Sequence, residues 1–320
     1  MDGMPDRFEP DADAAFQRTL KAAIGCVGVG LHCGQRVALT LRPAEPDSGI
    51  VFRRVDLGID IPARFDAVVD TQLSTVIGLA GDPEARVGTV EHLLAALAAA
   101  GVDNAVVELD GPEVPVLDGS AAPFLFLLDC AGIETQGTPR RLIEVLRPVR
   151  VEDGEAFAEL RPAGAEGGFS LAISIDFAAP AIGRQALSLP LLAGAFRREI
   201  AAARTFALAD EVEALRDAGF GRGGSLDNAV VVDGARVLNP GGLRMADEFV
   251  RHKLLDAVGD LGLAGAALRG RLVAHRPGHT LNNRLLRALF ADGQAWRETA
   301  AHPGVRAPAL SDWPAIPAAA

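Results

Sequence analysis

The chain repeats itself, and that restricts its architecture more than any other property of the sequence. Leu41-Arg42-Pro43-Ala44 recurs as Leu160-Arg161-Pro162-Ala163, each time after a strand-like segment. A helix carrying His92-Leu93-Leu94 recurs as one carrying His252-Lys253-Leu254-Leu255, and a β-like stretch follows each, 105–109 and 271–274. Each half closes on a small polar N-cap and an apolar helix, from Ser120 in the first and from Thr280 in the second. The pattern predicts an α+β fold built by internal duplication. The two spacings differ: the Leu-Arg-Pro-Ala copies lie 119 positions apart and the histidines 160, so the second half carries 41 extra residues between Ala163 and His252. That stretch includes Ala203-Arg204-Thr205-Phe206-Ala207-Leu208, a helical piece near 211–218 and the Gly-rich 219–224. Insertions of this size usually carry function.

The expected organisation is an acidic arm over residues 1–18, a first domain over 19–138, a second over 139–291, and a Pro/Ala-rich tail over 292–320 that lacks periodicity and is expected to be disordered. Strands are expected at 19–26, 36–41, 50–52 and 67–69. Thr89 is expected to cap a helix that Glu91 favours at its positive end and Gly101 stops.

Composition narrows the function classes. A hydrophobic share of 49% with 23% charged residues is the balance of a globular chain. A net charge of −11 gives no broad reason to bind nucleic acid or an anionic bilayer, so any phosphate must meet a local basic cluster. Cys26, Cys33 and Cys130 are too few and too odd in number for a disulfide framework. The first ten residues lack the apolar core of a secretory signal, and runs such as 93–100 are too short to span a bilayer. These features predict a cytoplasmic protein with no stable membrane insertion.

Residues 249–260 read as an amphipathic helix, with His252 and Asp256 four apart on one face and Asp260 continuing the row. Such a pair is common as a surface contact, and it is also two-thirds of a catalytic zinc site. Duplication favours the second reading, because His92 occupies the corresponding helix and packing the halves together completes a His2Asp set with a vacant fourth position. Glu91, next to His92, suits a general base for water and equally a charge favouring the helix dipole. His279 opens a helix, whose positive end lowers its pKa; Asp260 offsets this by holding the imidazolium. Lys253 and Arg276 are placed to grip phosphate, with simple solvation as the other reading of Lys253. Thr205 is a hydroxyl able to steady an oxyanion, or an ordinary loop threonine. His32-Cys33 follows Gly28-Val29-Gly30-Leu31 in what reads as a tight turn between strands, not a dinucleotide fingerprint.

Gly28-Val29-Gly30-Leu31-His32, Thr89-Val90-Glu91-His92-Leu93, Leu117-Asp118-Gly119-Ser120-Ala121-Ala122-Pro123-Phe124, Ala203-Arg204-Thr205-Phe206, the 249–260 helix and Gly278-His279-Thr280-Leu281-Asn282-Asn283 closely resemble the UDP-3-O-acyl-N-acetylglucosamine deacetylases, zinc amidases of lipid A synthesis. The likeness runs in order from about residue 19 to 290. It implies two β-α-α-β sandwich domains with the site between them. It also implies zinc ligands His92, His252 and Asp256, a general base Glu91, and a general acid His279 partnered by Asp260. By the same resemblance Thr205 steadies the tetrahedral intermediate, Lys253 lies near the substrate's diphosphate, and Phe206 with the insertion forms an apolar passage for the acyl chain. The implied partner is UDP-3-O-acyl-N-acetylglucosamine, handled by a monomer with Zn2+, Fe2+ being possible on the same donors. Ser74 departs from the family, where Cys is frequent, and the tail beyond Asp292 is not a family feature. Two rival readings are an acyl carrier protein dehydratase, which Pro277-Gly278-His279 faintly resembles, and a non-catalytic sugar-nucleotide-binding regulator. The first gives no task to His92, His252 or Asp256; the second gives none to Glu91 and His279.

Overall fold

Alternating burial builds the sheets. In the strand Arg36–Pro43 the side chains of Val37, Leu39 and Leu41 are buried while their neighbours are not, the period of a strand packed on one face. The computed structural model describes residues 15–164, 167–191 and 193–301. The first large sheet has the order Ile24–Val29, Arg36–Pro43, Ala105–Leu109, Ile50–Arg54, Ile59–Pro62. Its pairings run antiparallel, antiparallel, parallel, antiparallel.

The second large sheet contains the same run. Val149–Asp153, Ala156–Arg161, Ala267–His275, Phe169–Asp176 and Arg184–Pro190 pair antiparallel, antiparallel, parallel, antiparallel. To this the strand Arg141–Val145 is added beside Ala267–His275, followed by Trp296–Ala300. A two-stranded sheet of Phe16–Leu20 and Ile133–Pro139 and two three-stranded sheets make up the rest among the described residues. One, of Val68–Asp70, Val76–Gly78 and Arg86–Val87, lies in the first half. The other, of Phe206–Leu208, Val230–Asp233 and Arg236–Val237, belongs to the extra length of the second half.

Six helices are described: α1 (Glu91–Ala100), α2 (Ala122–Ala131), α3 (Ala193–Glu199), α4 (Ala209–Asp217), α5 (Glu248–Gly262) and α6 (His279–Ala291). α1 is Ala/Leu throughout after its first two residues and is buried on nearly every side, as a helix at the centre of a core must be. It ends where Gly101 turns left-handed at φ 71° and returns its N–H to the carbonyls of Leu97 and Ala98. α1 packs on α5, and one hydrophobic cluster runs from Leu20 to Ala295 through both halves. No helix among the described residues is long and apolar enough to cross a membrane.

Several expectations need correcting. The segment 19–26 is two strands in different sheets, Phe16–Leu20 and Ile24–Val29, so residues 15–18 are not part of a loose arm. Phe16–Leu20 is held by Ile133–Pro139, and Thr19 donates its hydroxyl to the Asn104 carbonyl. The tail expectation fails over 292–301, where Trp296–Ala300 pairs antiparallel with Arg141–Val145. Residues 1–14 and 302–320 lie outside the described residues. Thr89 does not cap α1: it sits at φ 55° and its hydroxyl donates to Glu113 at 2.7 Å. Thr280 does not cap α6 either, because the helix already starts at His279, after Gly278.

Candidate metal centre

Two helix starts meet the side of a third. α1 opens with Glu91-His92, α6 opens with His279, and α5 presents His252, Asp256 and Asp260 one turn apart on one face. Gly259 makes the meeting possible. A Cβ at that position would lie 1.9 Å from the Glu91 carbonyl oxygen, so the backbone of α1 rests directly on α5. His92 is thereby brought to His252, with ring centroids 5.0 Å apart and planes at 84°. From Asp256 Oδ1, His92 Nε2 is 3.7 Å away and His252 Nε2 is 3.2 Å away. All three residues are buried, and one donor atom from each lies within 4.8 Å of the others.

The chemistry of this trio fits a divalent ion. Asp256 Oδ1 is buried with no hydrogen-bond partner, an arrangement that a protein interior ordinarily avoids. His252 Nδ1 lies 3.1 Å from the Ala203 carbonyl and donates to it, which leaves the Nε2 lone pair facing the trio. Burial drives His252 down to about 3, against the pull of Asp256, so the ring is neutral as a ligand must be. Burial opposes ionisation of Asp256, but its charged surroundings, the Lys253 ammonium among them, outweigh it and hold the carboxyl well below its usual range. Lys253 Nζ donates to Asp256 Oδ2 at 2.8 Å. Burial likewise opposes the Lys253 cation, and Asp256 overrides it to leave the ammonium above its usual value. Lys253 is therefore engaged within the cluster, not merely solvated. Two imidazoles and a carboxylate form the donor set of a hydrolytic Zn(II) or Fe(II) site.

An acid–base pair lies alongside. Glu91 Oε2 accepts the Thr75 N–H at 3.0 Å, and Oε1 lies 3.8 Å from His279 Nε2. Burial raises the Glu91 carboxyl above its ordinary value, with the imidazoles of His279 and His92 pulling the other way. His279 Nδ1 donates to Asp260 at 2.9 Å. Asp260 also accepts the Thr75 hydroxyl at 2.6 Å and the Asn282 amide at 2.8 Å. Burial disfavours the His279 cation, yet Asp260 and Glu91 outweigh it and push the imidazole up to about 9. Two titratable groups with shifted affinities for protons thus face one another out of contact with most solvent.

The inserted segment reaches the same place. Phe206 sets its ring edge-on to Phe249 at 5.0 Å and to His252 at 6.2 Å, and Lys253 Nζ lies 5.4 Å from its centroid. Thr205 is half-buried between Ala203 and Phe206, its backbone tied to Gly119 and Val230. Arg276 is not drawn in: its guanidinium pairs with the exposed Glu155 at 3.3 Å. His32 does sit in a turn between strands, where its N–H and that of Cys33 bond to Glu113. Its Nε2 is buried without a partner, and burial lowers its pKa, with His279 and His92 near enough to add to the effect. A cavity of about 720 Å³ lies toward the other ends of α1 and α5, lined by Leu94, Leu97, Val258 and Leu261, and holds none of the trio.

Sequence reasoning missed Thr75, Asn282, Gly259, Arg204 and Glu248. Glu248 extends the His252–Asp256–Asp260 row by one more interval of four, and Arg204, Gly259 and Asn282 lie inside segments that carry the family resemblance, whereas Thr75 lies in none of them.

A buried His2Asp trio beside a carboxyl and an imidazolium, gathered from both halves of an α+β chain, defines the apparatus of a metal-dependent hydrolase. The family model for UDP-3-O-acyl N-acetylglycosamine deacetylase matches residues 17–291. A UDP-3-O-acyl-N-acetylglucosamine deacetylase of Phenylobacterium zucineum is 54% identical over 285 residues, covering 88% of this chain and 96% of the relative. Those of Idiomarina loihiensis and Acidithiobacillus ferrooxidans are each 52% identical over 284 residues, covering 88% of this chain and 91% of each relative. The chain belongs to the UDP-3-O-acyl-N-acetylglucosamine deacetylase family. That membership displaces the dehydratase reading.

Proposed function

We propose that this chain hydrolyses the 2-acetamido group of UDP-3-O-acyl-N-acetylglucosamine to acetate and the free amine, at the site centred on His92, His252 and Asp256. The observation that carries the site assignment is the convergence of those three buried donors from two halves of the chain, with Asp256 Oδ1 otherwise unpartnered. They would hold Zn(II), or Fe(II), which when bound supplies Lewis-acid polarisation of the amide carbonyl and lowers the pKa of water.

The remaining steps belong to side chains. Glu91 takes a proton from the attacking water, and its raised pKa makes it a stronger base than an exposed carboxylate. Thr205 donates its hydroxyl to the oxygen that gains negative charge as the carbonyl carbon becomes tetrahedral. His279, kept as an imidazolium by Asp260, delivers a proton to the amide nitrogen as the C–N bond breaks. Lys253 meets the diphosphate, and Arg276, whose guanidinium stands outside the cluster on the exposed Glu155, is the second basic group offered to it. Phe206, edge-on to Phe249 and to Phe177, forms the apolar wall along which the acyl chain lies.

The chain acts as a cytoplasmic monomer of two domains, 19–138 and 139–291 as read from the sequence, extended by the strands Phe16–Leu20 and Trp296–Ala300, that arose by duplication. The matching order and sense of strand pairing in the two large sheets supports the duplication. The test is acetate release by anaerobically purified protein of known metal content. Glu91→Gln should lower turnover by about 10²–10⁴-fold, the usual worth of a general base, with metal content unchanged. Activity that survives complete chelation would sink the proposal, and an unaltered rate in Glu91→Gln would remove that residue from it.

A further inference from the structure

α5 begins with a carboxylate that never reaches solvent. Glu248 is fully buried and accepts four hydrogen bonds: from the Arg204 N–H at 3.0 Å, Arg204 Nε at 2.8 Å, Arg204 Nη2 at 3.1 Å and the Arg244 N–H at 2.7 Å. Arg204 Nη2 also donates to the Gly242 carbonyl at 2.9 Å, which closes the loop back onto the start of α5. Glu248 thus grips the main chain of Arg204 as well as its side chain. The residue before Arg204 is Ala203, whose carbonyl takes the Nδ1–H of His252. Glu248 and His252 are one turn apart on α5 and share a face.

We infer that Glu248 is a positioning residue for His252: through Arg204 it holds the Ala203 carbonyl against Nδ1–H, and so fixes the tautomer and ring direction that aim Nε2 at the trio. The inference rests on the proposed metal site. Outer partners of ligand imidazoles set ring orientation, and losing one typically costs 10–100-fold in metal affinity. Glu248→Gln removes the charge that faces the Arg204 guanidinium and turns one of the two accepting oxygens into a donor, so only two of the four donors can still be served and the grip on Arg204 loosens.

The experiment uses the full chain. Zinc affinity is measured by competition with a chromophoric chelator, and histidine ¹⁵N shifts of the metal-free protein report which ring nitrogen of His252 carries the proton. Glu248→Gln should bind zinc about 10–100-fold more weakly and show His252 as a mixture of tautomers where the parent shows the Nδ1-protonated form. Arg204→Lys keeps a cation but loses the fork, and should shift both readouts the same way; it carries the test if Glu248→Gln fails to fold. Asp247→Asn, which loosens the start of α5 through its contact with Arg251 alone, should move neither. Zinc affinity within twofold of the parent and an unmixed tautomer in the folded Glu248 and Arg204 variants would overturn the inference. A parent chain that binds no zinc would overturn the metal site instead.

Discussion

Asp256 and Asp260 are the same residue type, one turn apart on one buried helix face, and their surroundings give them different work. Asp256 keeps one oxygen free of any hydrogen bond, while Asp260 accepts three, from Thr75, His279 and Asn282. An unpartnered buried carboxylate oxygen suits an ion; a fully satisfied one suits a fixed counter-charge. Asp260 is the largest influence raising His279, acting against burial, so the imidazolium persists up to about pH 9. A general acid works only while protonated, so activity should fall as pH rises through that value. Asp260→Asn removes the raising charge and keeps an acceptor for Nδ1–H. The alkaline limb of kcat/KM should therefore move to lower pH, with a loss of roughly 10-fold or more at pH 8. A bound cation lowers His279 in both proteins and does not reverse the direction of the difference. A pH–rate profile of parent and variant at matched metal content checks this; coincident alkaline limbs would dissociate Asp260 from the acid.

At the scale of elements, the site depends on how closely α1 and α5 approach. Gly259 allows contact at the backbone of Glu91, and no other residue type fits there. Gly259→Ala should push the helices apart, cost about 1–3 kcal/mol of stability as overpacked cores do, and lower zinc affinity because His92 rides on α1. Gly262→Ala on the same helix is the control. Its Cβ would meet Leu94 Cβ at an ordinary 3.8 Å, so it should leave both quantities near the parent values. Urea unfolding and zinc titration of the pair decide the matter.

The same elements show what could be read beforehand. The intervals of four from His252 to Asp260 fixed one face of one helix, and the repeated motifs pointed to its partner. The crossing itself was illegible, because what permits it is the absence of a side chain. Thr75 was equally hidden: it lies in a loop and bonds Asp260 across 185 residues of sequence. Thr89 misled because a threonine before a helix looks like a cap, whereas here its hydroxyl is committed to Glu113. Trp296–Ala300 was obscured by the Pro/Ala-rich composition around it; its pairing comes from the facing strand Arg141–Val145 and from Trp296 packing against Phe290, with ring centroids 4.9 Å apart.

For the whole molecule, the trio takes His92 from α1 and both His252 and Asp256 from α5, helices whose sheets follow the same order of pairing, while the hydrophobic cluster is continuous from one half to the other. An ion bound there by the native state alone is a cross-link between halves that already share a core. Its contribution follows mass action: at free zinc 100 times the dissociation constant the folded state gains about 2.7 kcal/mol. Because a three-ligand set with one member missing no longer holds the ion, His92→Ala and His252→Ala should each abolish that whole increment, although they belong to different halves. Unfolding by urea with and without zinc should remain a single transition in all three proteins, since the shared cluster couples the halves even without metal. Two resolved transitions in the chelated protein would show that the halves fold independently and that the ion, not the core, joins them. A zinc increment that survives in His92→Ala would place the ion on the second half alone and remove α1 from the site.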